Sequence, residues 1–157
     1  TQLFFLLSRY SQHQELKQID IFSKTVISDY MFIKDRLFAC LNLNDREMVL
    51  YDSIAKILEK EIIYPDLAIF LQADTDKLME NIKKRGRDYE QNMNWNYINS
   101  LNQVYNEYFF RYDKGPLLII NTNEIDFVNN NDDLEGIMNF LKEPIKGRQY
   151  YNPIKSF

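Results

Sequence analysis

The 157-residue chain has one cysteine, one histidine and only four glycines, and each shortage removes a class of chemistry. With Cys40 alone, no intrachain disulfide can form and no multi-cysteine zinc site can be built. That usage fits a reducing compartment, so the cytoplasm is the expected location. His13 alone removes paired-histidine metal motifs and leaves a serine-histidine triad a single possible base on an otherwise polar stretch. Gly86, Gly115, Gly136 and Gly147 lie too far apart to write G-x-G-x-x-G or G-x-x-x-x-G-K-[ST] anywhere. No apolar run approaches the roughly 20 residues that span a bilayer. Leu3 to Leu7 is short and has no basic segment before it, so neither a membrane anchor nor a signal peptide is expected. Nor is there a surplus of positive charge: 19 basic against 23 acidic side chains leave a formal charge of −4, which argues against nucleic acid as a partner.

What the chain does have is apolar bulk. Hydrophobic residues make up 45% and aromatic residues 15%, enough large side chains to fill the core of one ordinary domain. Thr1 to Tyr10 reads as a helix already under way, with no acidic first turn. The β-branched trio Thr25-Val26-Ile27 within Lys24 to Ser28 predicts a short buried strand ending at Asp29. A helix is expected from about Phe32 to Leu41, and Asn44 caps another to about Ile62, with Glu47 as its capping-box partner. After Pro65-Asp66, the run Leu67 to Leu71 has the continuous apolar character of a strand buried on both faces. Asp74 or Thr75 caps a helix that runs to the basic cluster before Gly86, and Met93 to Tyr112 carries apolar residues at helical spacing. Leu117 to Ile120 is the third strand expected, followed by an Asn/Asp-rich loop and a helix over Leu134 to Leu141. Beyond Pro144 little periodicity is visible. Strands alternating with helices imply an α/β fold whose parallel sheet binds ligands at the carboxyl ends of its strands.

Four places could carry chemistry, and each also has a plainer reading. Gln2 and Arg9 lie two helical turns apart and share a face, either as a solvated stripe or as an amide and a guanidinium aimed at a heterocyclic base. Asp29, with Asp35-Arg36 following, is either the N-cap of the next helix or a carboxylate able to hold Mg²⁺. Lys83-Lys84-Arg85-Gly86-Arg87 followed by Asp88-Tyr89-Glu90 is either an ordinary helix terminus or an arginine-bearing lid over a transferring phosphate. Asn121 to Phe127 is either a solvated connection or a loop whose exposed aromatic borders a nucleotide base. Cys40 and the methionines read as packing.

Taken together, Gln2 and Arg9 in TQLFFLLSRY, then VISDYMFIKDRLFA, PDLAIFLQAD, IKKRGRDYE and NTNEIDF, resemble the deoxynucleoside kinase family, especially its bacterial deoxyadenosine and deoxyguanosine kinases. The resemblance covers most of residues 1–142, read as a partial kinase domain, with 143–157 as a C-terminal tail. It implies a P-loop kinase-like parallel sheet flanked by helices, here without the N-terminal strand. It implies transfer of the ATP γ-phosphate to the 5′-hydroxyl of a deoxyribonucleoside, a purine one for preference. By that similarity Gln2, Arg9 and Asp35 read the acceptor base, and Asp29 works near Mg²⁺ and the phosphates. Arg85 and Arg87 are the lid arginines, Glu90 binds the sugar 3′-hydroxyl, and Asp126 with Phe127 lies beside the donor adenine. A homodimer is implied as well.

Three departures are visible. Tyr30 stands where many members have an arginine, and Asn81 where some have another lid arginine. The family's phosphate-binding glycine loop, its lysine and its general-base glutamate are not among these residues. The isolated chain is therefore expected to be inactive, and two strands are expected to have unpaired backbone groups at the middle of the sheet. Two rivals remain: a nucleoside monophosphate kinase of the thymidylate type, and a non-catalytic nucleoside-binding remnant.

Overall fold

The computed structural model describes residues 1–19, 25–29, 31–90 and 92–153, and the chain divides into two compact units, Thr1–Ile63 and Tyr64–Phe157.

The first unit is helical: α1 (Gln2–Ile19), α2 (Lys34–Asn42) and α3 (Asp45–Glu59). Leu6, Ala39, Tyr51 and Ala55 form its buried centre, with Leu3, Phe32, Leu43, Met48, Ile54 and Leu58 packed around them. Burying each large apolar side chain contributes on the order of 1.5–3 kcal/mol. The expected start of α3 is present in full. Asn44 Oδ1 accepts from the Glu47 amide at 3.1 Å, and Glu47 Oε2 accepts from the Asn44 amide at 3.0 Å. The strand expected over Lys24 to Ser28 does not form: Lys24 lies outside the described residues, and residues 25–28 are exposed, irregular chain. β-branched residues favour a strand only when a neighbouring strand receives them, and among the described residues none pairs with this segment.

The second unit is a three-stranded parallel sheet, β1 (Ala68–Gln72), β2 (Leu117–Asn121) and β3 (Arg148–Tyr151), in that spatial order. Helices α4 (Thr75–Arg85), α5 (Trp95–Phe110) and α6 (Asn131–Phe140) complete it. The Phe70 and Phe109 rings stack at 4.3 Å, seating α5 on one sheet face. On the other face Leu118 and Ile120 pack with Ile125 and Ile137 beside α6. Among the described strands only β2 is covered on both faces. β1 alternates, with Ile69 and Leu71 about half exposed, so the apolar run expected to be buried on both sides is buried on one.

One further expectation changes. The segment beyond Pro144 supplies β3, whose Arg-Gln-Tyr-Tyr sequence has no apolar alternation. Among the described strands β2 is paired on both sides, and β1 and β3 are the edges. Gly86 ends α4 at φ 67°, the left-handed conformation that favours glycine after a helix.

Candidate active site

In the first unit, α1 presents Gln2, Leu6, Arg9 and His13 at spacings of four, three and four, which places them on one face. Leu6 anchors that face in the core. Arg9 Nε lies 3.6 Å from Asp35 Oδ1, on a carboxylate in the first turn of α2 that is only 2% exposed. The other oxygen, Oδ2, accepts the Tyr51 hydroxyl at 2.9 Å. Burial pushes the Asp35 pKa above the ordinary carboxylate value, opposed by the Tyr51 hydrogen bond and then by Arg9. Burial and the Asp35 charge push the Tyr51 phenol upward, so it remains a donor. Gln2 Oε1 is buried and accepts no hydrogen bond within the described structure. A buried amide oxygen without a donor is costly, unless a ligand supplies one.

Beside this cluster Arg36 clamps Asp52 with two parallel bonds, Nε to Oδ1 at 2.9 Å and Nη2 to Oδ2 at 3.1 Å. Asp29 sits in an exposed bend rather than at a strand end, and α2 takes Ile33 as its N-cap, so Asp29 is not the cap of that helix either. Tyr30 lies outside the described residues. Cys40 is exposed, not packed in the core.

In the second unit, α4 delivers the basic cluster to a short 3₁₀ turn, Asp88–Glu90. Glu90 is 6% exposed and is held by both arginines. Arg85 Nη2 lies 2.7 Å and Nε 2.9 Å from Glu90 Oε2, while Arg87 Nη1 lies 3.7 Å from Oε1. Asp126 is occupied within its own loop, accepting from the Asn129 side chain at 2.7 Å and from the Asn129 and Val128 amides. Those bonds, with Lys84 at 3.6 Å, hold its pKa below the ordinary value. Phe127, expected to be an exposed aromatic, is half-buried against the core beneath α6, because its ring finds apolar partners there. Asn81 is exposed on α4.

Sequence reasoning missed two features. Tyr51 was hidden on the apolar face of α3. The signal was a tyrosine at a core position, whose hydroxyl must find a partner. The other is a row of asparagines on α5. Asn99 Oδ1 accepts from Thr75 Oγ1 at 3.0 Å, Asn102 Nδ2 donates to the Ala73 carbonyl at 3.1 Å, and Asn106 Oδ1 accepts from Gln72 Nε2 at 2.5 Å. This row fixes the carboxyl end of β1 and the first turn of α4, the helix that carries Arg85.

The deoxynucleoside kinase family profile matches residues 1–146. The chain is 29% identical to a deoxyguanosine kinase of Bacillus subtilis (strain 168), over 92% of this chain and 72% of that protein. It is also 29% identical to a deoxyadenosine kinase of Lactobacillus acidophilus, over 90% of this chain and 70% of the relative. Among solved structures, a deoxyadenosine kinase from M. mycoides with bound dATP superposes with a TM-score of 0.74 at 24% identity, covering 90% of this chain and 73% of that one. The same enzyme with bound dCTP gives a TM-score of 0.68 at 26% identity, covering 90% and 71%. The parallel sheet with helices on both faces is thus a P-loop kinase-like α/β fold, and the chain belongs to the deoxynucleoside kinase family.

Proposed function

We propose that this chain carries the acceptor-nucleoside and lid residues of a kinase that moves the ATP γ-phosphate to the 5′-hydroxyl of a purine deoxyribonucleoside. The observation that carries this reading is Gln2 Oε1, a buried acceptor without a donor on the helix face that also bears Arg9. A carboxamide offers one acceptor beside two donors, the pattern that pairs with adjacent amino and ring-nitrogen groups of a base. The names of the relatives, deoxyguanosine and deoxyadenosine kinases, support a purine acceptor.

Arg85 and Arg87 would offset charge on the phosphoryl oxygens, Glu90 would accept from the sugar hydroxyl, and Asp126 with Phe127 would border the donor base. Asp29 fits Mg²⁺ as a single exposed oxygen donor, since that ion keeps several waters and takes one or two carboxylates alongside substrate phosphates. Among the described residues no group of three metal-ligating side chains occurs. When bound, the ion would neutralise charge between the phosphates.

No glycine-rich phosphate loop is written in these 157 residues, so the chain assayed alone is proposed to transfer no phosphate. A homodimer and a cytoplasmic location complete the reading. No helix among the described residues is long and apolar enough to cross a membrane. Calorimetric titration with deoxyadenosine, deoxyguanosine and thymidine monophosphate tests the acceptor site. Binding of a purine deoxynucleoside that is lost in Gln2→Ala supports it, and preference for the monophosphate overturns it in favour of a thymidylate-type kinase. Turnover of ATP and deoxyadenosine by this chain alone would overturn the proposed inactivity.

A further inference from the structure

We infer that Tyr51 is a positioning residue for the acceptor base: its hydroxyl fixes the orientation of the Asp35 carboxylate, and through it the position of Arg9 on the helix face that also bears Gln2. This rests on the nucleoside reading of the Gln2–Arg9–Asp35 cluster. Asp35 has two oxygens and two different partners. Oδ2 accepts the Tyr51 hydroxyl at 2.9 Å, which leaves Oδ1 turned toward Arg9 Nε at 3.6 Å. The phenol thereby holds the plane of that carboxylate, so that one oxygen is spent on α3 and the other is left for α1.

The setting makes that hydroxyl effective. Tyr51 is 1% exposed and packed among Leu6, Ala39 and Ala55, so its ring cannot swing away. The residues next in sequence, Arg36 and Asp52, form their own two-bond clamp between α2 and α3. That clamp sets the register that brings Asp35 under Tyr51, and it survives loss of the phenol oxygen. The groups facing Asp35 are Arg9 from α1 and Tyr51 from α3, with the Arg36–Asp52 pair alongside. Burial raises the Asp35 pKa while Tyr51 is the strongest influence against it. Removing the hydroxyl therefore lets Asp35 take up a proton at higher pH. A neutral carboxyl no longer attracts Arg9, and base affinity falls with the charge.

The experiment is a carboxyl-carbon NMR titration of Asp35 in this chain, wild type against Tyr51→Phe, paired with deoxyadenosine affinity by calorimetry from roughly pH 4 to 8. The expected result is a higher Asp35 midpoint in Tyr51→Phe and deoxyadenosine binding about tenfold weaker at the acid end, in line with losing one hydrogen bond to a charge. Asp52→Asn, which loosens the helix clamp alone, should lower stability and leave the Asp35 midpoint in place. Tyr51→3-fluorotyrosine keeps the shape and strengthens the donor, so it should move the midpoint down even if Tyr51→Phe folds poorly. An unmoved Asp35 midpoint in both Tyr51 variants overturns the inference. A moved midpoint with no deoxyadenosine binding by the wild-type chain overturns the nucleoside reading instead, and with it the role at a base.

Discussion

Asp35 in the helical unit and Glu90 in the sheet unit are both nearly buried carboxylates, and they are satisfied in opposite ways. Asp35 takes one neutral donor at 2.9 Å and one guanidinium at 3.6 Å. Glu90 takes two guanidiniums, one of them through two nitrogens of Arg85 within 2.9 Å. Burial raises the Asp35 pKa, and the Tyr51 hydrogen bond and Arg9 offset that rise only in part. The Glu90 arrangement ties two exposed cations to one buried anion. A ligand phosphate that recruits Arg85 or Arg87 must compete with Glu90, whereas a base that meets Gln2 and Arg9 finds its partners already oriented. On the proposed reading, the first cluster is set in advance and the second must be opened.

Arg85→Ala breaks this contrast most sharply. It leaves Glu90 buried with Arg87 alone, at 3.7 Å. Stranding a buried carboxylate is expensive, and because Arg85 is itself half exposed the expected loss is about 2–3 kcal/mol of unfolding free energy. Denaturant unfolding followed from the second unit measures it. Adding Glu90→Gln to Arg85→Ala should recover most of the loss, since the stranded charge is then gone. No recovery would mean that Arg85 stabilises by packing its stem, not by pairing.

The counterpart in the helical unit is smaller. Tyr51→Phe removes one hydrogen bond and keeps the ring, at an expected cost of about 1 kcal/mol. It is measured as the shift in denaturation midpoint with unchanged slope. A loss as large as that of Arg85→Ala would show that the neutral donor matters as much as the double guanidinium, and the contrast would fail.

How far this was readable beforehand depends on what each feature needs. The Asn44–Glu47 capping box, the β2 run and the glycine stop at Gly86 are set by neighbours in sequence, and each lies where local chemistry puts it. Arg9 with Asp35, and Arg85 with Glu90, were named by type and spacing through the family resemblance. The geometry that joins them comes from packing between helices and a turn, which periodicity does not report. Thr25 to Ile27 looked like a strand because β-branched residues have local preference, but a strand also needs a partner. β3 was invisible for the converse reason, since Arg148 to Tyr151 is an edge strand held by pairing to β2 with little apolar alternation. Phe127 was assigned to solvent on the strength of its polar neighbours, and the core claimed it.

Within the helical unit, Asp35 and Asp52 give opposite pH trends. Asp35 binds its proton more tightly in the folded chain, so the stability it contributes is greatest in acid and falls as pH rises from the ordinary carboxylate value through its raised pKa. Asp52, held low first by its Arg36 bond, does the reverse: its contribution is present above the ordinary value and is lost as pH falls through its lowered pKa. Asp35→Asn should therefore flatten the profile on the neutral side only, and Asp52→Asn on the acid side only. Thermal midpoints measured across that range separate the two. A neutral-side slope that survives Asp35→Asn would mean another group supplies it.

Arg87→Ala should have the smallest effect, and it sharpens the account of Glu90. Arg87 is half exposed and approaches at 3.7 Å, beyond good hydrogen-bond range, so its attraction to Glu90 is weakened by water on the arginine side. Such pairs contribute about 0–1 kcal/mol and are screened by salt. The loss in Arg87→Ala should therefore shrink toward zero as salt is raised, while that in Arg85→Ala persists, because its contacts to Glu90 are short and desolvated on one side. Equal losses with equal salt dependence would mean that Glu90 shares itself evenly between the two arginines. On the proposed reading, a phosphate would then have to break both contacts before either arginine could act.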